Sequence, residues 1–167
     1  LAKAFNEFWR VLEPGGSMVF CGEPSRYGDR LAVLPKRGAS LAAPIWRRAI
    51  GASPNSKSEE ACDHRHELES EVDVHAFAPS ALDGFATGAG FEDVHVRGEE
   101  LLANVHGWTM RTLEGSAEPA EVPMAWRKFA FRSYIALQKL DTVALEPYLP
   151  ASLFYNLLIS GRKPLQI

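Results

Sequence analysis

The chain has 167 residues, 46% of them hydrophobic and 23% charged, which is the balance of one globular domain with its own core. Its formal net charge of -3 argues against the broad basic surface that nucleic-acid binding needs, and gives no indication of a polybasic membrane patch. No apolar run approaches the roughly 20 residues of a membrane span. Only two cysteines are present, Cys21 and Cys62, so no disulfide framework is expected and a cytoplasmic location is predicted.

The first predicted element is an amphipathic helix, because apolar side chains recur at helical spacing over residues 5–12. The Pro-Gly-Gly turn at residues 14–16 ends it, since proline cannot continue a helix and glycine accepts the positive φ of a tight turn. The continuous apolar run that follows, up to Cys21, predicts a strand that is covered on both faces. Cys21 is accordingly predicted to be buried.

Glycine and proline punctuate residues 22–37, which are therefore predicted to form a loop. A short helix is predicted over 44–50, and the polar residues 52–73 are typical of an exposed segment. Within that segment, residues 62–66 have the order Cys-Asp-His-Arg-His, which superficially resembles a metal-binding cluster. Its spacing matches no common zinc site, so no metal is predicted.

The second half of the chain begins with a predicted helix over 78–89, which a proline opens and a glycine closes. Apolar and polar residues then alternate over 91–97, the pattern of a half-exposed strand at a charged sheet edge. Residues 99–149 have helical periodicity with a proline-containing break. The apolar run over 153–159 predicts a buried final strand that leaves the sheet at Gly161.

Three short sequence motifs lie at characteristic places in this order of elements. The helix, Pro-Gly-Gly turn and strand over 11–20 form the first, Gly-Phe-x-x-Val at 90–94 the second, and Arg-Lys-Pro at 162–164 the third. Together they resemble the C-terminal half of class I S-adenosylmethionine-dependent methyltransferases. The loop after Cys21 is similar to the strand-exit loop of small-molecule methyltransferases of the menaquinone and ubiquinone biosynthesis type.

The resemblance implies an α/β fold class, with a partial Rossmann-like methyltransferase sheet of the last three strands, one of them antiparallel, and a helical insertion. The C-terminal strand would lie antiparallel between the strand after Pro-Gly-Gly and the edge strand at 91–97. On this basis the chain divides into three parts. Residues 1–98 would belong to the methyltransferase core, 99–150 would form a helical insertion or lid, and 151–167 would supply the final core strand and tail.

The resemblance also implies S-adenosylmethionine as the cofactor of the intact enzyme. The family holds it with a glycine-rich turn after the first strand and an acidic residue after the second. Neither pattern occurs here, since the nearest candidate, residues 84–90, has its glycines within and after a helix. The cofactor-binding residues are therefore expected upstream of Leu1, and the isolated chain is expected to be an incomplete and inactive methyltransferase.

The substrate side of the pocket is predicted to include residues that follow the first strand. Glu23, Ser25 and Tyr27 lie just beyond its carboxyl end, where open α/β sheets bind their ligands. Trp108, in the helical insertion, is predicted to line the same pocket, although packing within an apolar stripe is the simpler role for it. The substrate would be a small-molecule methyl acceptor. No catalytic residue is predicted, and homo-oligomerisation is left open.

Two other interpretations of the sequence remain. The chain would be a non-catalytic α/β interaction module if the helical region 99–149 docked a partner protein. It would be another doubly wound enzyme, such as an oxidoreductase, if a different chemistry used the same order of elements.

Overall fold

The computed structural model describes residues 1–55 and 76–165, so the cluster predicted to bind no metal, at 62–66, lies outside the described residues. Contacts divide the described chain into two compact units. The first unit contains Leu1–Asp29, Ala76–Glu100 and residues 142–165, and the second contains residues 30–55 and Leu101–Asp141. The helices and strands are, in chain order, α1 (Ala2–Val11), β1 (Ser17–Pro24), α2 (Arg26–Ile50), α3 (Pro79–Gly88), β2 (Glu92–Glu99), α4 (Leu102–Gly115), α5 (Met124–Leu140) and β3 (Asn156–Arg162).

The three strands form one small sheet in the order β1–β3–β2, and β3 runs antiparallel to both neighbours. This confirms the predicted place of the C-terminal strand between the other two, and the predicted edge position of the strand at 91–97. The described fold is therefore mixed α/β, with a three-stranded antiparallel sheet and surrounding helices. The division of the chain at residues 98 and 150 stays a prediction.

One face of the sheet carries the core of the first unit. Met18, Leu157 and Ile159 point to this face and are buried against α1 and α3. Phe5 is the fully buried anchor of α1, as its helical periodicity predicts, and Leu82 plays the same part in α3. Both helices can pack on this face because each presents an apolar stripe while its polar residues face water.

The other face of the sheet is open among the described residues, so the prediction that β1 is covered on both faces is wrong. Val19 and Cys21 point to the open face and are exposed. Their partners on β3 are Ser160 and Leu158. Side chains alternate along a strand, so a continuous apolar run still places only every second residue in the core. Cys21 is exposed for this reason, contrary to its predicted burial.

Helix α2 corrects a second prediction, because residues 22–37 do not form a loop. The helix begins at Arg26 and continues through Pro35 and Pro44 to Ile50. Gly28 does not mark a turn. A Cβ atom there would lie 2.5 Å from the Cα atom of Tyr155, so the glycine permits close packing.

Most of residues 99–149 are helical, as predicted, although Glu99 itself is the last residue of β2.

The second unit contains most of α2 together with α4 and α5. Its core joins α2 to the C-terminal end of α4 and the turn that follows; the buried members are Ala39, Ala43, Trp46, Leu113, Ala117 and Val122. The final strand begins at Asn156 and not at residue 153, because a short 3-10 turn, Ala151–Leu153, precedes the buried Phe154. In the described parts of the chain, no helix is long and apolar enough to cross a membrane.

Candidate functional site

Strands β1 and β2, in the first unit, have their carboxyl ends at the same end of the sheet, which we call the carboxyl edge. Pro24 of β1 and Glu99 of β2 both pair with Asn156, the first residue of β3. Because β3 is antiparallel to its neighbours, this is the edge at which their carboxyl ends meet. Ligands of open α/β sheets bind beyond the carboxyl ends of strands, so this edge is the candidate site.

Ser25 lies at this edge and is fully buried. Its hydroxyl donates a hydrogen bond to the carbonyl oxygen of Phe154 and accepts one from the Gly28 N–H at 2.9 Å. Its own N–H donates to the Tyr155 carbonyl oxygen at 2.6 Å. The hydroxyl thus satisfies a backbone donor in the first turn of α2, as a helix cap does, and binds β3's preceding segment. Contact of Ser25 with a substrate stays a prediction.

The other predicted substrate residues have different surroundings. Tyr27, in the first turn of α2, is 52% exposed and lies near Ser25 at the same edge. Glu23 pairs through its backbone with Leu157, while its side chain lies outside the described part of the structure. Trp108 belongs to the second unit, where it is buried. The Lys36 ammonium lies 6.0 Å from the centroid of the Trp108 ring, which suits a packed residue with a cation–π contact.

Three glutamates at the same edge are absent from the sequence-based prediction. Glu99 is the last residue of β2, Glu100 follows it, and Glu146 follows the π-helical turn Asp141–Leu145. The Glu100 N–H donates to Oε1 of Glu146 at 3.2 Å, and the Asn156 amide donates to Oε2 of Glu100 at 3.0 Å. These contacts bring the carboxylate of Glu146, from a distant segment, close to the two carboxylates at the end of β2.

The carboxyl group of Glu99 has an altered acidity. Burial raises its pKa, the negative charge of Glu146 raises it further, and the Arg97 guanidinium opposes the shift. A carboxylate with a raised pKa at this candidate site is a candidate proton acceptor. The sequence signal for Glu99 and Glu100 is the one that selects Glu23, namely an acidic residue where a strand ends.

The described residues contain no group of three or more histidine, cysteine, aspartate or glutamate side chains arranged to hold a metal ion. They also do not fit S-adenosylmethionine in the manner that the family resemblance implies. Two described connections lead from a strand into a helix, β1 to α2 and β2 to α4, and neither contains a glycine-rich turn. The nearby Gly28 faces the backbone of Tyr155 and leaves no room for a ligand.

A surface groove of approximately 340 Å³ lies at the opposite edge of the sheet, where β1 begins and β3 ends. It is lined by Asn6, Trp9, Arg10 and Lys163. The length of the strands separates this groove from the candidate site at the carboxyl edge.

Comparisons with known proteins find only a distant structural similarity. No family model matches it, and no curated protein matches it. Among solved structures, it is similar to phosphoethanolamine N-methyltransferase 2 of Haemonchus contortus, solved in complex with phosphomonomethylethanolamine and S-adenosylhomocysteine, at 12% identity and a TM-score of 0.39. The alignment covers 99% of this chain, which spans about 30% of the length of that enzyme. At this identity and TM-score, the likeness decides neither the fold family nor the activity.

Proposed function

We propose that this chain is the C-terminal part of an S-adenosylmethionine-dependent methyltransferase that acts on a small molecule and contributes the substrate side of its pocket. One observation carries the proposal. The strand order β1–β3–β2, with β3 antiparallel to both neighbours, is the order that the resemblance to class I methyltransferases predicts from the sequence. A C-terminal strand inserted between two earlier strands is a specific arrangement, because sequential strands are more often neighbours.

A second feature supports the same proposal. The edge of β1 that does not face β3 pairs with no strand among the described residues. The resemblance places further strands of the sheet, and the cofactor-binding turn, beside this edge. On the proposal, S-adenosylmethionine is bound by that other half of the fold. The residues at the carboxyl edge, including Glu23, Ser25 and Tyr27, then lie on the side of the methyl acceptor.

The proposal is tested by calorimetric titration with S-adenosylmethionine. The product of the complete reading frame is expected to bind it with micromolar affinity, and the isolated 167-residue chain is expected not to bind. S-adenosylhomocysteine should compete, whereas ATP, which shares only the adenosine moiety, should not. A folded product of the complete reading frame that binds neither S-adenosyl compound would overturn the proposal.

Micromolar binding by the isolated chain would have a different meaning. It would keep the methyltransferase assignment but place the cofactor site within these residues, against the lack of a glycine-rich turn in the described connections. Circular dichroism of the isolated chain before titration serves as the control, because an unfolded chain would fail to bind for a trivial reason.

A second candidate function is the non-catalytic interaction module, which one observation favours. Two large apolar side chains on one side of α5, Met124 and Phe131, are exposed. Exposed apolar patches often mark protein contacts. The same titration separates the two functions, because an interaction module has no reason to bind S-adenosylmethionine.

A further inference from the structure

Helix α2 carries an apolar stripe that packs against nothing among the described residues. Leu34, Leu41 and Ile45 are 68%, 82% and 73% exposed, although they lie well inside a 25-residue helix. At about 100° of rotation per residue, these side chains and that of Leu31 fall within roughly 80° of one another around the helix. The stripe therefore continues along one side of the helix for almost four turns.

This stripe is distinct from the face by which α2 packs into the second unit. Ala39, Ala43 and Trp46 are buried on that other face. The helix consequently has two apolar faces, of which only one is covered by described residues. Contiguous exposed apolar surfaces are uncommon on monomeric proteins, and they often mark a site of contact with another molecule.

Positive charge accompanies the stripe. Residues 30–50 contain no acidic side chain and five basic ones, although the whole chain has a net charge of -3; the basic residues are Arg30, Lys36, Arg37, Arg47 and Arg48. Lys36 and Arg47 are engaged within the second unit, over a tryptophan ring and on a backbone carbonyl oxygen. Arg30, Arg37 and Arg48 fall together along one flank of the leucine stripe. The overall charge thus conceals a local basic surface.

We propose that this stripe and its flanking arginines bind the surface of a membrane that contains anionic lipids. An amphipathic helix with leucines on one side and arginines beside them lies in the membrane interface, where its apolar face enters the acyl region and its cations meet the headgroups. The inference rests on α2 alone and is independent of the methyltransferase proposal.

Two features of the stripe favour lipid over a partner helix. Position 38, between Leu34 and Leu41, is a glycine whose side-chain position has nothing within 4 Å. A partner helix would need a side chain shaped to fill this gap, whereas fluid acyl chains fill it without a matching shape. The stripe also extends over only about two heptads, fewer than the three or four that a coiled coil usually needs. Two copies of α2 in contact would further bring like charges together.

The test is co-sedimentation of the 167-residue chain with lipid vesicles. Binding is expected to phosphatidylglycerol–phosphatidylcholine vesicles, and much less to vesicles of phosphatidylcholine alone. Leu34→Ser and Leu41→Ser should each lower the partition coefficient about tenfold. Arg30→Gln, Arg37→Gln and Arg48→Gln should each lower it about fivefold, and only on the anionic vesicles.

Val143→Ser is the matched control, because Val143 is 75% exposed but lies outside α2 and should leave the partition coefficient unchanged. All substituted side chains are on the surface, so thermal unfolding should confirm that each variant folds. The proposal is overturned if the chain does not bind the anionic vesicles, or if binding ignores these substitutions. It is also overturned if sedimentation velocity shows a dimer that Leu41→Ser dissociates, since the occupant of the stripe would then be a second copy.

Discussion

The ammonium group of Lys163 donates hydrogen bonds to the carbonyl oxygens of Trp9 and Leu12, both at 2.7 Å, and lies 3.9 Å from the centroid of the Trp9 ring. Both carbonyls belong to the C-terminal end of α1, where backbone acceptors lack intrahelical partners and the helix dipole favours a cation. Lys163 is only 8% exposed. The residue that follows the last strand therefore caps the first helix of the chain.

Replacement of Lys163 should destabilise the first unit. Lys163→Met keeps most of the apolar stem but removes the charge, both hydrogen bonds and the contact with the Trp9 ring. A loss of about 2 kcal/mol in the free energy of unfolding is expected, since hydrogen bonds from a charged donor are among the stronger ones. Urea denaturation followed by circular dichroism measures it. Lys128→Met, on the exposed side of α5, should change stability little, and equal effects of the two substitutions would contradict the capping role.

Two glycines of α2 should respond in opposite ways to alanine. At Gly28 a Cβ atom would lie 2.5 Å from the Tyr155 Cα and 2.7 Å from the Phe154 carbonyl oxygen, both of them backbone atoms that cannot move aside easily. Gly28→Ala should therefore cost about 2–3 kcal/mol by overpacking. Gly38→Ala meets open space in the same helix and should stabilise by about 0.5–1 kcal/mol.

Chemical denaturation of both variants beside the unchanged protein checks this pair. Because the two substitutions are chemically identical and lie in one helix, their difference isolates the close approach at Gly28. A stabilising effect of alanine at both positions would show that the β3 side does not approach α2 as closely as the structure has it.

The elements that the sequence predicts well are those whose signals are local. Helix α1 is identified by the spacing of its apolar residues, and β2 (Glu92–Glu99) by the alternation over residues 91–97. Only the end of helix α2 is predicted, as a short helix over 44–50. Its first part is missed because Gly28 and Pro35 usually indicate turns, and the contact that explains Gly28 comes from Tyr155, far along the chain. Burial of β1 is overestimated for a related reason, since an apolar run does not show which face is covered.

The candidate site is only half predictable on the same grounds. The position of Ser25 and Tyr27 at a strand end follows from the order of elements, but the buried hydrogen bonds of Ser25 depend on Phe154. The hydrogen bond between Glu100 and Glu146 joins residues 46 positions apart. No local sequence pattern predicts such a tertiary contact, so the negative charge of Glu146 near Glu99 could be found only in the structure.

Asp141 should be a stabilising residue of the second unit and not a ligand-binding one. It is completely buried, and its two carboxylate oxygens accept hydrogen bonds from the N–H groups of Leu102 and Ala103 at 3.0 and 2.9 Å. These donors open α4 and have no intrahelical partner. Asp141→Ala should cost about 2 kcal/mol, because it leaves both N–H groups without their acceptor, and that of Ala103 is buried.

Thermal and urea unfolding of Asp141→Ala should show this loss, and Asp141→Asn should lose about half as much because its amide retains one acceptor oxygen. Asp83→Ala, at an exposed position of α3, is the control and should be nearly neutral. An Asp141→Ala variant as stable as the Asp83 variant would show that water satisfies the first turn of α4.

Glu99 should make stability depend on pH in the direction opposite to that of an ordinary salt-bridged acid. Its pKa is raised in the folded state by burial and by Glu146, so the folded protein binds the proton more tightly than the unfolded chain does. The stabilising contribution is fully present below the unfolded pKa of about 4.5 and is lost as pH rises through the folded value. Glu99→Gln, which stays neutral, should therefore raise the melting temperature at pH 7 but not near pH 4. The gain should be a few tenths of a kcal/mol, because the side chain is partly exposed and solvent screens it.

Melting temperatures measured between pH 4 and pH 8 test this pH dependence, with Glu92→Gln on the same strand as the control. A gain that persists unchanged at pH 4 would mean that the gain does not come from the charge of Glu99. A neutral-pH loss in Glu99→Gln would mean that a favourable partner holds Glu99 charged, against the raised pKa.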